Sequence, residues 1–249
     1  MPVNHLEAVE AESAAAWGDE KRAYVKRIFS QIAPRYDLLN HVLSFNVDRG
    51  WRRRAIAALN LPRHPGGRYL DLCAGTLDVS AQLARTAGFA GSVIGADFAE
   101  PMLRAGLGKS AAAVVRPVVA DALDLPLADG SVAGAIVGFG IRNLADLDAG
   151  LHEVLRVLEP GARFVILELS TPRSPLVRAG YHAYFHHVLP FIGGLVSGHG
   201  TAYRYLPRSV ANFPSQDLLA HRMKQAGFAN VHWTALTLGV AALHVGEKA

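Results

Sequence analysis

Apolar residues along the chain change period several times, and each change marks an element. Between Glu20 and Tyr36, the residues Tyr24, Ile28, Phe29 and Ile32 recur at the spacing of one helix face. Pro34 is expected to end that helix. A second helix runs through Trp51, Ile56 and Leu59 and stops before Pro62, and Pro65-Gly66-Gly67 is a loop. Short apolar runs then predict strands at Tyr69–Cys73, Val93–Asp97, Pro117–Ala120, Ala133–Phe139 and Arg163–Leu169. Helical segments lie between them near Val79–Ala87, Pro101–Ala113 and Leu147–Leu158. Strands alternating with amphipathic helices imply a parallel sheet covered on both faces. Glu159-Pro160-Gly161-Ala162 should stop the third of these helices and turn the chain into the fifth strand. After Ser170 the pattern breaks. Residues 173–212 form an insertion rich in aromatics and histidine, including Tyr181, Tyr184, Phe185, His186, His187, Tyr203 and Tyr205 around Gly193-Gly194. A helix over Gln216–Ala226 follows, then strands at Asn230–Leu236 and Gly239–Val245, close enough to pair antiparallel. The expected fold is therefore α/β, a Rossmann-like seven-stranded sheet with a final antiparallel strand pair. Residues 1–19 show little apolar periodicity and read as a mobile tail. Residues 20–249 read as a single domain, with an N-terminal helical cap or lid over 20–61 and a substrate-side insertion over 173–212.

Composition narrows the class. The 249 residues are 51% hydrophobic and 18% charged, enough apolar material for a core and no mark of global disorder. A net charge of +4 does not call for nucleic acid, while an anionic membrane surface stays compatible with it. The lone Cys73 rules out an internal disulfide and fits a reducing, cytoplasmic setting. No apolar run nears the roughly 20 residues that span a bilayer. The N-terminal stretch resembles neither a secretory signal nor an Arg-rich transit peptide. None of the 11 histidines sits in a tight ligand pattern, so no metal is expected.

Candidate chemistry concentrates at the first strand-to-helix turn, Asp71-Leu72-Cys73-Ala74-Gly75-Thr76-Leu77-Asp78. A strand, a glycine turn and a helix N-terminus in that order let a nucleotide-like ligand approach the backbone closely. The dinucleotide fingerprint would need two further glycines, and a phosphate loop would need Gly-Lys-Ser/Thr; neither is present. One glycine, no lysine and acids on both sides suit a cationic ligand without phosphate, and S-adenosylmethionine is such a ligand. A strand later, Asp97 is placed to accept hydrogen bonds from two ribose hydroxyls, with Phe98 beside it. Asp121-Ala122, after the third strand, is placed for an adenine ring, although Asp121 also reads as a helix N-cap. Asp71 either faces the methionine part of the ligand or stabilises the turn.

Six motifs in order then make the chain resemble the ubiquinone/menaquinone-biosynthesis C-methyltransferases, the UbiE family, over residues 24–247. They are Tyr36-Asp37…Asn40…Ser44…Trp51, Phe139-Gly140-Ile141-Arg142-Asn143, Arg156–Gly161 leading to Glu168-Leu169-Ser170, His187–Pro190 with Ile192-Gly193, Ala202–Leu206 with Phe213-Pro214, and Ala226–Phe228 with Leu236…His244. Against the family pattern, Leu77 replaces a glycine of the first turn and Gly138 replaces a serine. Asp48 stands for a histidine, Leu39 for a methionine and Ala162 for a glycine.

The resemblance implies a class I S-adenosylmethionine-dependent methyltransferase that methylates a ring carbon of a polyprenylated quinol, with demethylmenaquinol favoured over a benzoquinol. It implies a cofactor site of Asp71, Gly75, Thr76, Asp78, Asp97, Phe98, Asp121, Ala122 and Gly138. Arg142, Asn143, His187 and Tyr203 are implied as catalytic residues, Arg142 by stabilising a phenolate or orienting a basic water. A salt bridge from Arg142 to an acid such as Asp146 is the plainer alternative. The isoprenoid tail would call for contact with the inner face of the membrane, through Val188–Val196 or the N-terminal helix. A homodimer, or contact with other quinone-biosynthesis enzymes, is compatible with this reading. Two alternatives are a methyltransferase acting on another phenolic molecule and a non-catalytic scaffold of a quinone-biosynthesis complex.

Overall fold

The computed structural model describes residues 19–37, 44, 46–184 and 200–249, with no side-chain description for residues 19, 35 and 200–204. The predicted tail over 1–19 therefore lies almost wholly outside the described residues, as do Leu39, Asn40, His186, His187 and the run Val188–Val196.

Seven strands form one sheet: β1 Arg68–Leu72, β2 Ser92–Asp97, β3 Val115–Val119, β4 Val132–Gly138, β5 Leu158–Leu169, β6 Phe228–Leu236 and β7 Ala241–Lys248. Their spatial order is β3-β2-β1-β4-β5-β7-β6. The first five pair parallel, and β7 runs antiparallel to both β5 and β6. The order reverses between β1 and β4, where open parallel sheets bind ligands beyond the strand ends. Pro117 sits on β3, an edge strand, where its missing N–H costs no internal ladder bond.

Side chains alternate across the sheet into two cores. On β1 and β5, Leu70, Leu72, Phe164 and Ile166 face one layer, with Leu151 and Val154 of helix α5 (Leu147–Val157). Tyr69, Val165 and Leu167 face the other, with Trp51 and Ile56 of helix α2 (Asp48–Ala58). Asp146 caps α5 by accepting from the Ala149 N–H at 3.0 Å. Helices α3 (Asp78–Ala84) and α4 (Glu100–Gly106) are shorter than their apolar pattern predicts; α4 stops where Leu107 turns extended and Gly108 takes left-handed backbone. The expected turn at Glu159–Gly161 falls inside β5, which begins at Leu158 paired with Val132; a register shift there absorbs the extra residues.

Helix α1 (Asp19–Ile32) lies over the carboxyl ends of the strands. It packs Tyr24, Val25 and Ile28 against Tyr205 of helix α7 (Gly200–Ala211). Helix α6 (Pro175–Ala183) precedes α7, and α8 (Gln216–Gln225) leads into β6. Among the described residues no helix is long and apolar enough to cross a membrane.

One glycine sets how closely α4 approaches the first turn. A Cβ on Gly106 would lie 2.3 Å from the Thr76 carbonyl oxygen, a backbone atom that cannot swing aside. Gly106→Ala is expected to destabilise the protein by about 1–3 kcal/mol, as overpacking does. Urea denaturation checks this, and an unchanged midpoint would show that the helix can retreat freely.

Candidate functional site

The turn after β1 is built from left-handed residues. Cys73, Gly75 and Leu77 have φ of 53°, 52° and 63°. Leu77, which stands where the resembling family has glycine, accepts a strained backbone worth about 1–2 kcal/mol. Its side chain offsets that strain by burial. It is 3% exposed and fills the space over two glycines, since Cβ atoms on Gly95 and Gly106 would meet it at 2.5 and 3.0 Å. It points into the core, away from the ligand side.

A cavity, partly open to solvent, lies against this turn and the ends of β2, β3 and β4. Gly75, Asp97, Phe98, Asp121, Ala122, Gly138 and Asn143 line it, together with Arg22, Val25, Phe29 and Tyr36 from the N-terminal side. Asp71, Thr76, Asp78 and Arg142 are not among its lining residues. His187 lies outside the described residues, and the side chain of Tyr203 is not described.

Asp97 ends β2 at 7% exposure, and its two oxygens accept the Gly75 and Ala99 N–H groups, each at 2.8 Å. Burial raises its pKa, opposed by those N–H groups and that of Phe98. Each oxygen still has capacity for another donor, and the residue borders the cavity. Asp121 accepts the Leu123 N–H at 3.0 Å with one oxygen and pairs with the Arg22 guanidinium through the other. It thus stabilises its own turn and also borders the cavity.

Asp71 behaves differently. One of its oxygens accepts both the Ser80 N–H at 2.9 Å and the Ser80 hydroxyl at 2.6 Å, which locks α3 to the end of β1. Thr76 donates its hydroxyl to Asp37, and Lys109 joins Asp37 to Asp78. Asp78 also takes Arg52 at 2.7 Å, and Arg52 reaches Asp48 at 3.3 Å. Burial alone would raise the Asp78 pKa, but Lys109 and Arg52 hold it below the usual carboxylate range. Thr76 and Asp78 thus tie the Tyr36-Asp37 motif to the turn from behind the cavity wall.

Arg142 is 6% exposed and donates to Glu168 at 2.7 Å and to Ser209 at 3.3 Å. Its acid is Glu168, at the end of β5. Asp146, the acid nearer in sequence, is spent as the α5 cap. Burial works against the charged guanidinium, yet the Glu168 carboxylate holds the Arg142 pKa above its ordinary value. Lys21 of α1 donates to the Arg142 carbonyl at 2.7 Å, and desolvation lowers its pKa to about 8. The Tyr205 hydroxyl donates to the Asn143 side-chain oxygen at 3.1 Å. The motif reading missed Lys21 and Arg22, and it held Glu168 in its third motif without giving it a site role. Only Glu168, an acid closing an apolar strand, carries a local signal.

This architecture is that of S-adenosylmethionine-dependent methyltransferases. A methyltransferase of that type from Thermotoga maritima superposes with a TM-score of 0.60 at 19% identity, covering 90% of this chain and 99% of its own. The [4+2]-cyclase SpnF superposes with 0.66 at 16% identity over 90% and 95%, so the fold alone leaves the chemistry open. The ubiE/COQ5 methyltransferase family model matches residues 17–248, and the chain belongs to that family. A ubiquinone/menaquinone biosynthesis C-methyltransferase UbiE from Geotalea daltonii is 46% identical over 92% of this chain and 98% of its own length. A demethylmenaquinone methyltransferase from Thermus thermophilus is 49% identical over 89% and 100%.

The buried Asp71 yields a pH test. Burial raises its pKa to about 7, against an ordinary 3.8. The folded state therefore binds a proton that the unfolded chain releases, and this contribution is lost as pH climbs from about 4 to about 7. Asp71→Asn removes that loss. Its stability relative to wild type should rise between pH 5 and pH 8 in urea denaturation; a difference independent of pH would contradict the assignment.

Proposed function

We propose that the protein transfers a methyl group from S-adenosylmethionine to a ring carbon of a polyprenylated quinol, with demethylmenaquinol as the favoured acceptor. The observation that carries the reading is the cavity-facing Asp97, a buried carboxylate at the carboxyl end of β2, one strand from the switch point of the sheet, in a chain of the ubiE/COQ5 family. The lining fits such a cofactor. Among the described lining residues two carboxylates face apolar and aromatic walls, and one cationic side chain, Arg22, is present and already paired to Asp121. That set matches hydroxyl and amino groups and does not match a pyrophosphate. Asp97 would hold the ribose, Asp121 and Ala122 the adenine, and Gly75 would let the ligand lie against the turn. S-adenosylmethionine bound there supplies an electrophilic methyl group.

The chain's own residues would do the rest. The quinol carbon becomes nucleophilic as the neighbouring hydroxyl loses its proton, and the ring proton must leave afterwards to restore aromaticity. Asn143, which borders the cavity, is the member of the Arg142-Asn143 pair that would meet the quinol oxygen. Arg142 lies behind it and acts by fixing the turn and adding positive potential against a phenolate. Phe29, Tyr36 and Phe139 exclude water. His187 and Tyr203 are the proposed proton acceptor and substrate-side aromatic of the insertion. The isoprenoid tail favours a site of action on the inner face of the membrane, with a cytoplasmic protein docking there. A scaffold without catalysis is disfavoured because Leu77 spares the cavity, its side chain being turned into the core.

Calorimetric titration with S-adenosylmethionine tests the cofactor site. Wild type should bind at micromolar concentration, and Asp97→Ala should weaken binding by at least about tenfold, the loss of charge-assisted hydrogen bonds of about 1.5–3 kcal/mol. Methyl transfer to demethylmenaquinol faster than to its benzoquinol counterpart is the expected order. Wild-type protein without affinity for the cofactor would move the scaffold reading ahead.

A further inference from the structure

We propose that Arg22 is a positioning residue that latches helix α1 over the adenine end of the cofactor site through its ion pair with Asp121. The inference rests on the cofactor reading above and goes beyond it in naming what keeps the ligand in place. Arg22, Val25 and Phe29 stand on one face of α1, three and four residues apart, and all three line the cavity. That face is the roof of the site, and the strand ends are its floor. The adjacent Lys21 anchors the same helix at a second point, its buried ammonium donating to the Arg142 carbonyl at 2.7 Å.

The two anchors differ physically. Lys21 is 3% exposed, so solvent ions reach it poorly. The Arg22 side chain is 52% exposed and that of Asp121 is 21% exposed, so their attraction is open to screening. Arg22 is therefore the anchor that can open while Lys21 keeps α1 attached. Asp121 need not release Arg22 to receive a ligand. An ionised carboxylate offers about four acceptor positions, and among the described residues the Leu123 N–H and the Arg22 guanidinium occupy two of them. A donor amino group of the ligand can join on the cavity side, so that one carboxylate serves both Arg22 and the ligand while the ion pair holds the α1 roof over the site. Arg22 acts as a latch and not as a plug competing for the site.

Stopped-flow dissociation of S-adenosylmethionine from the full chain, with S-adenosylhomocysteine as chase, tests this. Arg22→Ala should release the cofactor roughly two- to fivefold faster than wild type, the range expected for a half-exposed ion pair. Raising ionic strength from about 0.05 to about 0.5 M should speed release from wild type and leave Arg22→Ala unchanged. Arg22→Lys should retain most of the slow release. Arg22 is half-exposed, so the melting temperatures of the variants are expected to match wild type and report that the fold is intact. Equal dissociation rates with equal salt response would overturn the latch, and so would tighter binding by Arg22→Ala, the sign of a plug. Wild type that binds no cofactor would remove the cofactor reading and the latch together. Binding with no Arg22 effect removes the latch alone.

Discussion

The ion pair between Arg142 and Glu168 is the constraint on which the ligand side of the molecule depends. Both side chains are nearly inaccessible, and the pair joins the turn after β4 to the end of β5. Burying two charges costs several kcal/mol each, and the attraction returns this only where hydrogen bonds satisfy the remaining atoms. Here they do so. Glu168 accepts the Leu169 N–H, and Arg142 also donates to Phe139 and Ser209. Those extra bonds recruit the elements around the cavity, since Ser209 belongs to α7 and the Arg142 carbonyl takes Lys21 from α1. Asn143, next in the chain, is thereby presented to the cavity and steadied by Tyr205.

Two aspartates on adjacent strands show how environment divides one residue type between structure and site. Asp71 sits beside Gly95 in the β1–β2 register, two residues before Asp97 on the neighbouring strand. Ser80 consumes Asp71, so the carboxyl serves to lock a helix. Asp97 is held by backbone N–H groups of the turn and of its own loop, and it keeps its remaining acceptor capacity toward the cavity. The same turn carries a second division of labour. Leu77 adopts a glycine-like backbone yet contributes a buried side chain, so a residue that departs from the family pattern leaves the cavity unchanged in its lining.

What the chain made readable follows from how local each signal is. The apolar runs of β1, β2 and β4 and the periodic face of α5 are local, and strand and helix positions followed from them within a few residues. The end of α4 failed because Leu107 and Gly108, inside the predicted apolar segment, leave helical backbone, and α3 also stopped short of its pattern. At the site, Gly75, Asp97, Asp121 and Asn143 follow strand ends, so topology alone brings them to one edge. Arg142 misled for the opposite reason. Asp146 is near in sequence, while the true partner arrives from another strand 26 residues away. Lys21 and Arg22 look like an ordinary solvated face of an amphipathic helix, and nothing local marks a contact spanning 121 residues. Thr76 and Asp78 sit in the cofactor turn by motif, but the charges of Asp37, Lys109 and Arg52 draw them to its far side.

On the proposed function, the buried charge of Arg142 and Glu168 serves methyl transfer in addition to ordering the ligand side of the molecule. A double-mutant cycle with Arg142→Met and Glu168→Met, scored for both urea stability and methyl transfer to demethylmenaquinol at saturating cofactor, separates the two. Each single change should cost about 3–5 kcal/mol by stranding a buried charge, and the double change should restore most of that stability. Methyl transfer is expected to stay lost in the double variant while S-adenosylmethionine still binds. A double variant that is stable and transfers methyl groups at the wild-type rate would contradict it.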